Sequence, residues 1–332
     1  MAELITQYLG LTLPNPLIAG SSGLTAEIGQ LKNLAKNGIG AVVLKSLFEE
    51  QILMEAEHDR QEARKHFMLY ADHAESFDYL DMHLRREALE DYLQLIRQAK
   101  KELMIPVIAS IHCLTPSEWT VFASRIHEAG ADALELNIAI PVYDAGIPSA
   151  VIEQRYVEIL AAIRKTVSLP LAVKLAPVFT NPAAMISSLS EKGAAGIVLF
   201  NRFFSPGIDI EKMELCPAEK LSHEDDYRQA LRWIALMHGK VKADLCASGG
   251  IHSAETVIKQ LLAGARAVQV TSVLYRHGPE IISSLLAGIE KWMEHKGFNY
   301  PDQFIGKMSR QNISSPEYFE RLQFMKYFSG IQ

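Results

Sequence analysis

Cysteine is scarce in this chain of 332 residues, which contains 3: Cys113, Cys216 and Cys246. The number is odd, the spacings are wide, and no Cys-x-x-Cys pair occurs. Such a pattern predicts neither a disulfide framework nor an iron–sulfur cluster carried on this chain.

Long hydrophobic runs and N-terminal targeting signals are also missing. No apolar run reaches the roughly 18–20 residues that a membrane-spanning helix needs. The N-terminal sequence has no basic segment followed by an apolar one, and no small-residue cleavage site. We therefore expect no signal peptide, no membrane partner and a cytoplasmic location.

Positive charge is not in excess, because 33 lysines and arginines stand against 39 acidic residues for a formal net charge of −6. A protein that binds nucleic acid needs a concentrated basic surface to neutralise phosphates. No low-complexity tract is present either. We therefore expect a small-molecule substrate as the partner and no nucleic acid.

What the sequence does contain is a rhythm of short apolar runs. The runs lack strict polar alternation, as expected of parallel strands that are covered on both sides. Eight of them are predicted as strands: Leu17–Ala19, Ala41–Leu44, Pro106–Ile111, Ala133–Leu136, Leu171–Leu175, Gly196–Phe200, Asp244–Ala247 and Ala267–Val270.

Amphipathic segments lie between these runs and are predicted as helices: Ile28–Asn37, Arg85–Leu103, Pro116–Ala129, Ala150–Val167, Pro182–Lys192, Glu224–Met237, Ser253–Ala263 and Pro279–His295. Eight strand–helix alternations predict the α/β class and a (β/α)₈ TIM barrel, as a single domain over residues 1–332. An open, doubly wound sheet is the alternative.

Three parts of the chain fall outside the repeating unit. Residues 1–16 are predicted to contain a small hairpin under the barrel floor, because Ile5–Leu13 is hinged at Gly10. Long loops, 46–84 and 202–223, follow strands two and six on the side where strands exit, where long loops are often functional. Residues 300–332 form a C-terminal tail.

Polar residues occupy the predicted carboxyl ends of the strands, where barrel enzymes place their chemistry. Lysine and asparagine are rarely buried without a partner, so these residues are hard to explain as packing. The set is Ser21, Ser22, Lys45, His112, Asn137, Lys174, Asn201, Ser248, Gly249, Gly250, Thr271 and Ser272.

The loops after strands seven and eight are the most interpretable, because barrels often build a phosphate site there. Gly249 and Gly250 allow a close backbone approach, and Thr271 and Ser272 offer hydroxyls and amides from the neighbouring loop. A phosphate anchor beside two lysines suits a phosphorylated cofactor whose ring accepts electrons. These residues alone do not separate a flavin from a sugar phosphate.

Several motifs, in order along nearly the whole chain, resemble the dihydroorotate dehydrogenase family, and its soluble class more closely than its membrane-associated class. They are Asn15-Pro-Leu, Ser21-Ser-Gly, Gly40-Ala-Val-Val-Leu-Lys45-Ser, Ala131-Asp-Ala-Leu-Glu-Leu-Asn137, Ala172-Val-Lys174-Leu-Ala-Pro177, Leu199-Phe-Asn201, Ala247-Ser-Gly-Gly-Ile251, Gln269-Val-Thr-Ser272 and Phe304-Ile-Gly-Lys-Met308. The resemblance implies a (β/α)₈ barrel that binds flavin mononucleotide (FMN), and together with the general frequency of twofold enzymes it implies a homodimer.

The resemblance also implies roles for matching residues. Ser21 and Ser22 would contact the flavin, and Lys45 with Ser46 would lie along its ring. Lys174 would sit near the N1 side of the ring. Asn137 would bridge flavin and substrate, Asn201 would bind the cofactor and face the substrate, and Lys45 would also contact the substrate. The remaining cofactor residues would be Ser248, Gly249, Gly250, Thr271 and Ser272, of which the last four would hold the phosphate.

One departure concerns the catalytic base. Family members carry a Cys or Ser after the fourth strand that removes a proton from dihydroorotate, whereas Ile140 stands there in this chain. Because general-base catalysis contributes roughly 10²–10⁴-fold, dihydroorotate oxidation should be crippled. Replacement bases can be proposed, each weakly: Tyr143, Asp144, His112 and Cys113.

A second departure concerns substrate binding, because residues 46–84 show no counterpart of the family's orotate-gripping segment and are instead predicted to be a polar, largely helical stretch. This stretch contains four histidines, whose spacings of eight, seven and ten residues do not form a metal-ligand motif: His58, His66, His73 and His83. We therefore expect no metal site.

The leading hypothesis is an FMN-dependent oxidoreductase that transfers hydride at a C–C bond of a small polar substrate other than dihydroorotate. A second is a genuine dihydroorotate dehydrogenase of pyrimidine biosynthesis with a relocated base. A third is a flavin- or phosphate-binding barrel without turnover. A fourth is a sugar-phosphate isomerase or lyase, which would not account for the ordered motifs.

Overall fold

The structure is a computed structural model that describes residues 2–49, 74–113, 116–140, 143–202, 206–217 and 220–320. Within these residues the strands are, in chain order, β1 Thr6–Tyr8, β2 Leu11–Leu13, β3 Leu17–Ala19, β4 Ala41–Val43, β5 Leu47–Phe48, β6 Val107–His112, β7 Ala133–Asn137, β8 Leu171–Leu175, β9 Gly196–Leu199, β10 Pro206–Asp209, β11 Glu214–Pro217, β12 Asp244–Ser248 and β13 Ala267–Val270.

Eight parallel strands close into a barrel in the order β3-β4-β6-β7-β8-β9-β12-β13, and β13 returns to β3. These are the eight strands that the apolar runs predict, with ends that differ by at most one residue. The predicted (β/α)₈ barrel is therefore confirmed, and the open sheet is wrong because β4 pairs with β6 to complete the ring.

Helices surround this barrel: α1 Ile28–Lys36, α2 Ala74–Glu102, α3 Pro116–Ala129, α4 Ser149–Thr166, α5 Pro182–Glu191, α6 Tyr227–Met237, α7 Ala254–Ala263, α8 Ser272–His277, α9 Ile281–Lys296 and α10 Glu317–Glu320. Helix α2 starts eleven residues before the predicted Arg85, because residues 74–84 include good helix formers such as Ala, Glu, Leu and Met. The short helix α8 was not predicted.

The predicted N-terminal hairpin is confirmed. Strands β1 and β2 pair antiparallel, with Tyr8 opposite Leu11. Its buried residues Tyr8, Leu9 and Leu13 pack against the residues that fill the barrel interior, including Ile18 and Cys246. The hairpin therefore closes the floor of the barrel, at the end opposite to the strand exits.

The core has two parts. One cluster fills the barrel interior, and a larger one lies between the strands and the surrounding helices, where Trp119, Tyr156 and Phe304 are fully buried. This division follows from strand geometry, because successive side chains point alternately into the barrel and outward to the helices.

The long loop after β9 contains a second hairpin, β10–β11, which was not predicted. Ile208 lies directly opposite Leu215, and these side chains are 70% and 80% exposed. The turn is held by the Asp209 carboxylate, which accepts hydrogen bonds from the backbone amides of Glu211 and Lys212. Its Pro206-Gly207 start and its charged turn are typical of a loop rather than a strand.

Candidate functional site

The carboxyl ends of the barrel strands gather the predicted polar residues on one face, because parallel strands in a closed barrel all exit on the same side. At the barrel mouth Lys174, on β8, is only 7% exposed. Its ammonium donates to Oε1 of Gln269 at 2.9 Å and lies 3.6 Å from Oε1 of Glu135. Nε2 of Gln269 donates in turn to Oε2 of Glu135 at 2.6 Å.

These three residues belong to three strands, so only barrel closure brings them together. Glu135 is 1% exposed and Gln269 is 2% exposed, so both polar side chains are fully buried. Glu135 pairs with Ala172, two residues before Lys174 on β8, and so lies further from the strand exits. A buried cation is stabilised when it is paired and hydrogen-bonded. Sequence reasoning identified Lys174 but missed Glu135 and Gln269, although both are polar residues inside apolar strands, which is a signal the sequence does contain.

Beside the lysine, two predicted asparagines contact each other. Nδ2 of Asn201 donates to Oδ1 of Asn137 at 2.9 Å. The backbone carbonyl of Asn137 accepts a 2.7 Å hydrogen bond from Nδ1 of His112. In the neutral ring this bond fixes the proton on Nδ1 and leaves Nε2 as an acceptor. The ring is further held between Phe48 and Trp119, at centroid distances of 5.3 and 6.3 Å.

A serine chain crosses the opposite side of the face. Oγ of Ser21 lies 3.1 Å from Oγ of Ser46 and accepts from the Ser46 amide at 2.9 Å. Oγ of Ser46 lies 2.7 Å from Oγ of the buried Ser110, whose amide donates to the Tyr92 hydroxyl at 2.8 Å. The structure thus brings Ser21 and Ser46 into contact.

Ser22 and Lys45 have different environments. The hydroxyl of Ser22 accepts from the amide of Leu24 at 3.3 Å and caps the short 3₁₀ helix that follows β3. The backbone amide of Lys45 donates to the carbonyl of Thr25, and the lysine is exposed. The side chain of Lys45 is therefore open to solvent, whereas that of Lys174 is buried.

The two glycines after β12 differ in what surrounds them. Both have positive φ, +94° at Gly249 and +70° at Gly250. A Cβ at Gly250 would overlap the backbone nitrogen of Tyr227, so this glycine is needed for helix packing. A Cβ at Gly249 would meet nothing within 4 Å, so open space lies beside that backbone.

The loop after β13 is tied to the insertion after β9. Oγ of Ser272 accepts from the amide of Ser222 at 2.9 Å. The Ser222 hydroxyl lies 3.0 Å from Nε2 of His252, and its carbonyl accepts from Arg276 at 3.2 Å. Thr271 precedes α8 and is half-buried. Ser222 was missed, because no local pattern tells which strand end the 202–223 loop will reach.

The position at which the motif comparison expects the base is apolar. Ile140 is half-buried and packs against the core beyond the end of β7. Of the suggested replacements, Tyr143 is 89% exposed, and Asp144 lies on an exposed turn where its carboxylate accepts from the Gly146 amide at 2.8 Å. The structure therefore does not bring Tyr143 or Asp144 to the strand-end cluster.

His112 and Cys113 do share a cavity with Ile140. The cavity measures about 560 Å³ between α3 and α4. Burial raises the pKa of the Cys113 thiol, and the Glu49 and Glu118 carboxylates add to this effect. A thiol of that kind is a poor proton acceptor near neutral pH. The lining residues are His112, Cys113, Trp119, Ile138, Ala139, Ile140, Arg155, Glu158, Ile159 and Ala162.

The described residues can be searched for metal-binding groups and for helices that could span a membrane. Among those residues no group of three or more His, Cys, Asp or Glu side chains is placed to hold a metal ion. None of the helices described combines the length and apolarity of a membrane span. Of the four histidines in residues 46–84, His58, His66 and His73 lie outside the described residues.

Fold and site together define a parallel (β/α)₈ barrel whose mouth carries a buried lysine, paired asparagines and two glycine- and hydroxyl-bearing loops. The family model described as dihydroorotate dehydrogenase matches residues 3–293. The chain belongs to the dihydroorotate dehydrogenase family, and the resemblance predicted from its motifs is confirmed. It is an oxidoreductase of that kind.

Two curated relatives carry the name dihydroorotate dehydrogenase B (NAD(+)), catalytic subunit. The protein from Methanosarcina acetivorans is 30% identical over 307 residues, which cover 90% of this chain and 93% of the relative. The protein from Methanothermobacter thermautotrophicus is 24% identical over 315 residues, which cover 91% and 97%. This modest identity over nearly the full length fits a divergent member of the family.

Proposed function

We propose that the chain is an FMN-dependent oxidoreductase that transfers hydride at a C–C bond of a small polar substrate other than dihydroorotate. One observation carries the cofactor assignment: the Lys174 ammonium is fixed at the barrel mouth by Gln269 and Glu135. Reduction of a flavin places negative charge near N1, and a fixed cation stabilises that charge.

The residues at the last two strand ends fit the phosphate of such a cofactor. Gly249 has positive φ and open space on its Cβ side, which leaves room for close approach to the backbone. Ser248, at the end of β12, and Thr271 and Ser272, directly after β13, supply hydroxyls at the ends of these two neighbouring strands. In this assignment Ser21 and Ser46 contact the ring, and Lys174 faces its N1 side.

When bound, FMN would supply a two-electron acceptor for the substrate. The chain's own residues then bind and orient the substrate, through Lys45 and the paired amides of Asn137 and Asn201. Ile140 cannot accept a proton, so the position that supplies the family's base contributes only apolar surface here. This departure supports a substrate other than dihydroorotate.

The cofactor proposal is tested by reconstituting the purified protein with FMN and recording the flavin absorbance band near ~450 nm. Gly249→Ala should weaken FMN binding at least about tenfold, because a methyl group would fill the space reserved for the phosphate. Gly130→Ala is the matched control, since Gly130 has φ +90° and no atom within 4 Å of its Cβ position, at a helix–strand junction away from the mouth. A wild-type protein that never acquires the band would contradict the proposal.

A second candidate, oxidation of dihydroorotate with His112 as base, is favoured by one observation: His112 and Ile140 line the same cavity. The test offers dihydroorotate together with fumarate, a quinone, NAD⁺ or a dye as acceptor. If this candidate is correct, His112→Gln should reduce turnover by roughly 10²–10⁴-fold. No turnover by the wild-type protein with any acceptor rejects it.

We further propose a homodimer in the cytoplasm. The family relationship supports both, and the name of the two relatives, which contains NAD(+), makes NAD⁺ the first electron acceptor to assay.

A further inference from the structure

We propose that Glu135 is a positioning residue that holds Lys174 at the barrel mouth and, through the charge it adds there, lowers the reduction potential of the bound flavin. This inference rests on the proposed FMN function. Glu135 was not among the residues expected from the motif comparison to contact cofactor or substrate.

The hydrogen-bond polarity at Gln269 supports an ammonium–carboxylate pair. Its amide oxygen faces the Lys174 ammonium at 2.9 Å, and its amide nitrogen faces the Glu135 carboxylate at 2.6 Å. One amide therefore satisfies a cation on one side and an anion on the other. The second carboxylate oxygen, Oε1, has no hydrogen-bond partner within the described residues and lies 3.6 Å from the ammonium.

Burial makes this pair strong and directional. The side chain of Lys174 is 9% exposed and that of Glu135 is 1% exposed, so water screens their charges little. The strand register places the carboxylate deeper in the barrel, because Glu135 pairs with Ala172, two residues before Lys174 on β8. The pair therefore presents its positive end toward the flavin position, while the carboxylate offsets part of the lysine's field.

The sign of the effect follows from these charges. A positive charge near the flavin favours the reduced form, and a negative charge favours the oxidised form. Glu135→Gln keeps an oxygen for the Gln269 amide but removes the negative charge, so the reduction potential should move to a more positive value. Lys174→Met should move it to a more negative value.

The experiment measures the flavin midpoint potential by spectroelectrochemistry in wild type, Glu135→Gln, Lys174→Met and the double variant. We expect Glu135→Gln above wild type, and the double variant above Lys174→Met. The second comparison decides the matter if Glu135→Gln does not fold, because the double variant removes both charges and leaves no unpaired buried ion.

Asp244→Asn is the matched control, because Asp244 is a carboxylate at the opposite, floor end of strand β12. The flavin midpoint potential of the Asp244→Asn variant should stay at the wild-type value. An equal shift in Asp244→Asn would show a general charge effect and overturn the inference.

A second readout needs no flavin. In urea unfolding of the apoprotein, Lys174→Met should lower the midpoint more in the wild-type background than in the Glu135→Gln background, because only in the former does it strand a buried carboxylate. An equal decrease of the urea midpoint in the two backgrounds would contradict the pairing of Lys174 with Glu135. Bound FMN with equal potentials in wild type and Glu135→Gln would overturn this inference alone, whereas a wild-type protein that binds no FMN would overturn the proposed function as well.

Discussion

At the scale of single residues, the three thiols differ in environment. Cys246 is fully buried inside the barrel, Cys113 is 5% exposed beside the cavity, and Cys216 lies on the exposed β10–β11 hairpin with intermediate burial. Burial raises the pKa of both the Cys246 and Cys113 thiols. Because the thiolate is the reactive form, these two cysteines should react slowly with thiol reagents.

We therefore predict that one thiol per chain reacts rapidly with a chromogenic disulfide reagent at about pH 8, and that the other two react at least about tenfold more slowly. The measurement is the absorbance of released reagent under native conditions. Cys216→Ala should remove the fast phase, and Cys113→Ala should leave it unchanged. A fast phase that survives Cys216→Ala would contradict this assignment.

At the scale of elements, the floor hairpin depends on a close contact with β9. A Cβ at Gly196 would overlap the Leu9 side chain and come within 3.2 Å of the Tyr8 hydroxyl. Both residues are buried and cannot move aside into solvent. The glycine is therefore required by packing of the hairpin against the barrel, not by backbone conformation.

Gly196→Ala should accordingly lower the free energy of unfolding by about 1–3 kcal/mol, the usual cost of overpacking a core. Gly29→Ala is the control, because Gly29 lies in α1 with nothing within 4 Å, and it should raise stability by about 0.4–1 kcal/mol. Urea denaturation of both variants checks the prediction. A Gly196→Ala variant as stable as wild type would show that the hairpin does not pack against β9 as described.

A hydrogen bond between the floor hairpin and strand β12 should make the stability of the protein depend on pH. The Asp244 carboxylate on β12 accepts a 2.8 Å hydrogen bond from the Leu9 amide. Burial raises the pKa of Asp244, and the Leu9 amide and Arg266 offset this only in part. Between its ordinary pKa and the raised one, the native state binds more protons than the unfolded state at this site, so its contribution to stability falls as pH rises.

Asp244→Asn should remove this dependence while keeping an oxygen for the Leu9 amide. The difference in free energy of unfolding between the variant and wild type should therefore increase as pH rises through the raised pKa, in favour of the variant. Urea denaturation from about pH 4 to about pH 8 measures it, with Asp225→Asn, an exposed carboxylate, as control. A difference that stays constant with pH would contradict the prediction.

Substitutions in the exposed β10–β11 hairpin, unlike those beside the floor hairpin, should have little effect on stability. Ile208 and Leu215 face each other across β10–β11 and are largely exposed within the chain. Substituting both with serine should change the melting temperature of the chain by no more than about 2 °C, because exposed side chains contribute little to stability. Differential scanning fluorimetry tests this, and a larger decrease would mean that the hairpin is covered in solution.

At the scale of the whole molecule, a homodimer remains a prediction. Its mass in solution at micromolar concentration should be about twice the 37.0 kDa of the chain. Light scattering after size-exclusion chromatography measures this directly. A mass equal to one chain would contradict the homodimer.

The sequence by itself determined the barrel, since strand positions follow from local apolar runs and helix ends from neighbouring residues. Four glycines that come one or two residues after a helix, Gly38, Gly130, Gly193 and Gly264, all adopt positive φ. Motifs determined the family, and they led to the expectation that Ile140 stands where relatives carry a base. These features depend on residues close together in the chain, or on identity at a single position.

Only the tertiary structure decided which side chains meet. Lys174 contacts Gln269, 95 residues away, and Asn201 contacts Asn137, 64 residues away. It also separated Gly249, which has open space, from Gly250, which packs on α6. These contacts depend on strand neighbours in the closed ring and on how far each pair of strands is staggered, and no local pattern encodes either. The buried charge pair beneath the mouth is therefore a property of the fold rather than of any one segment.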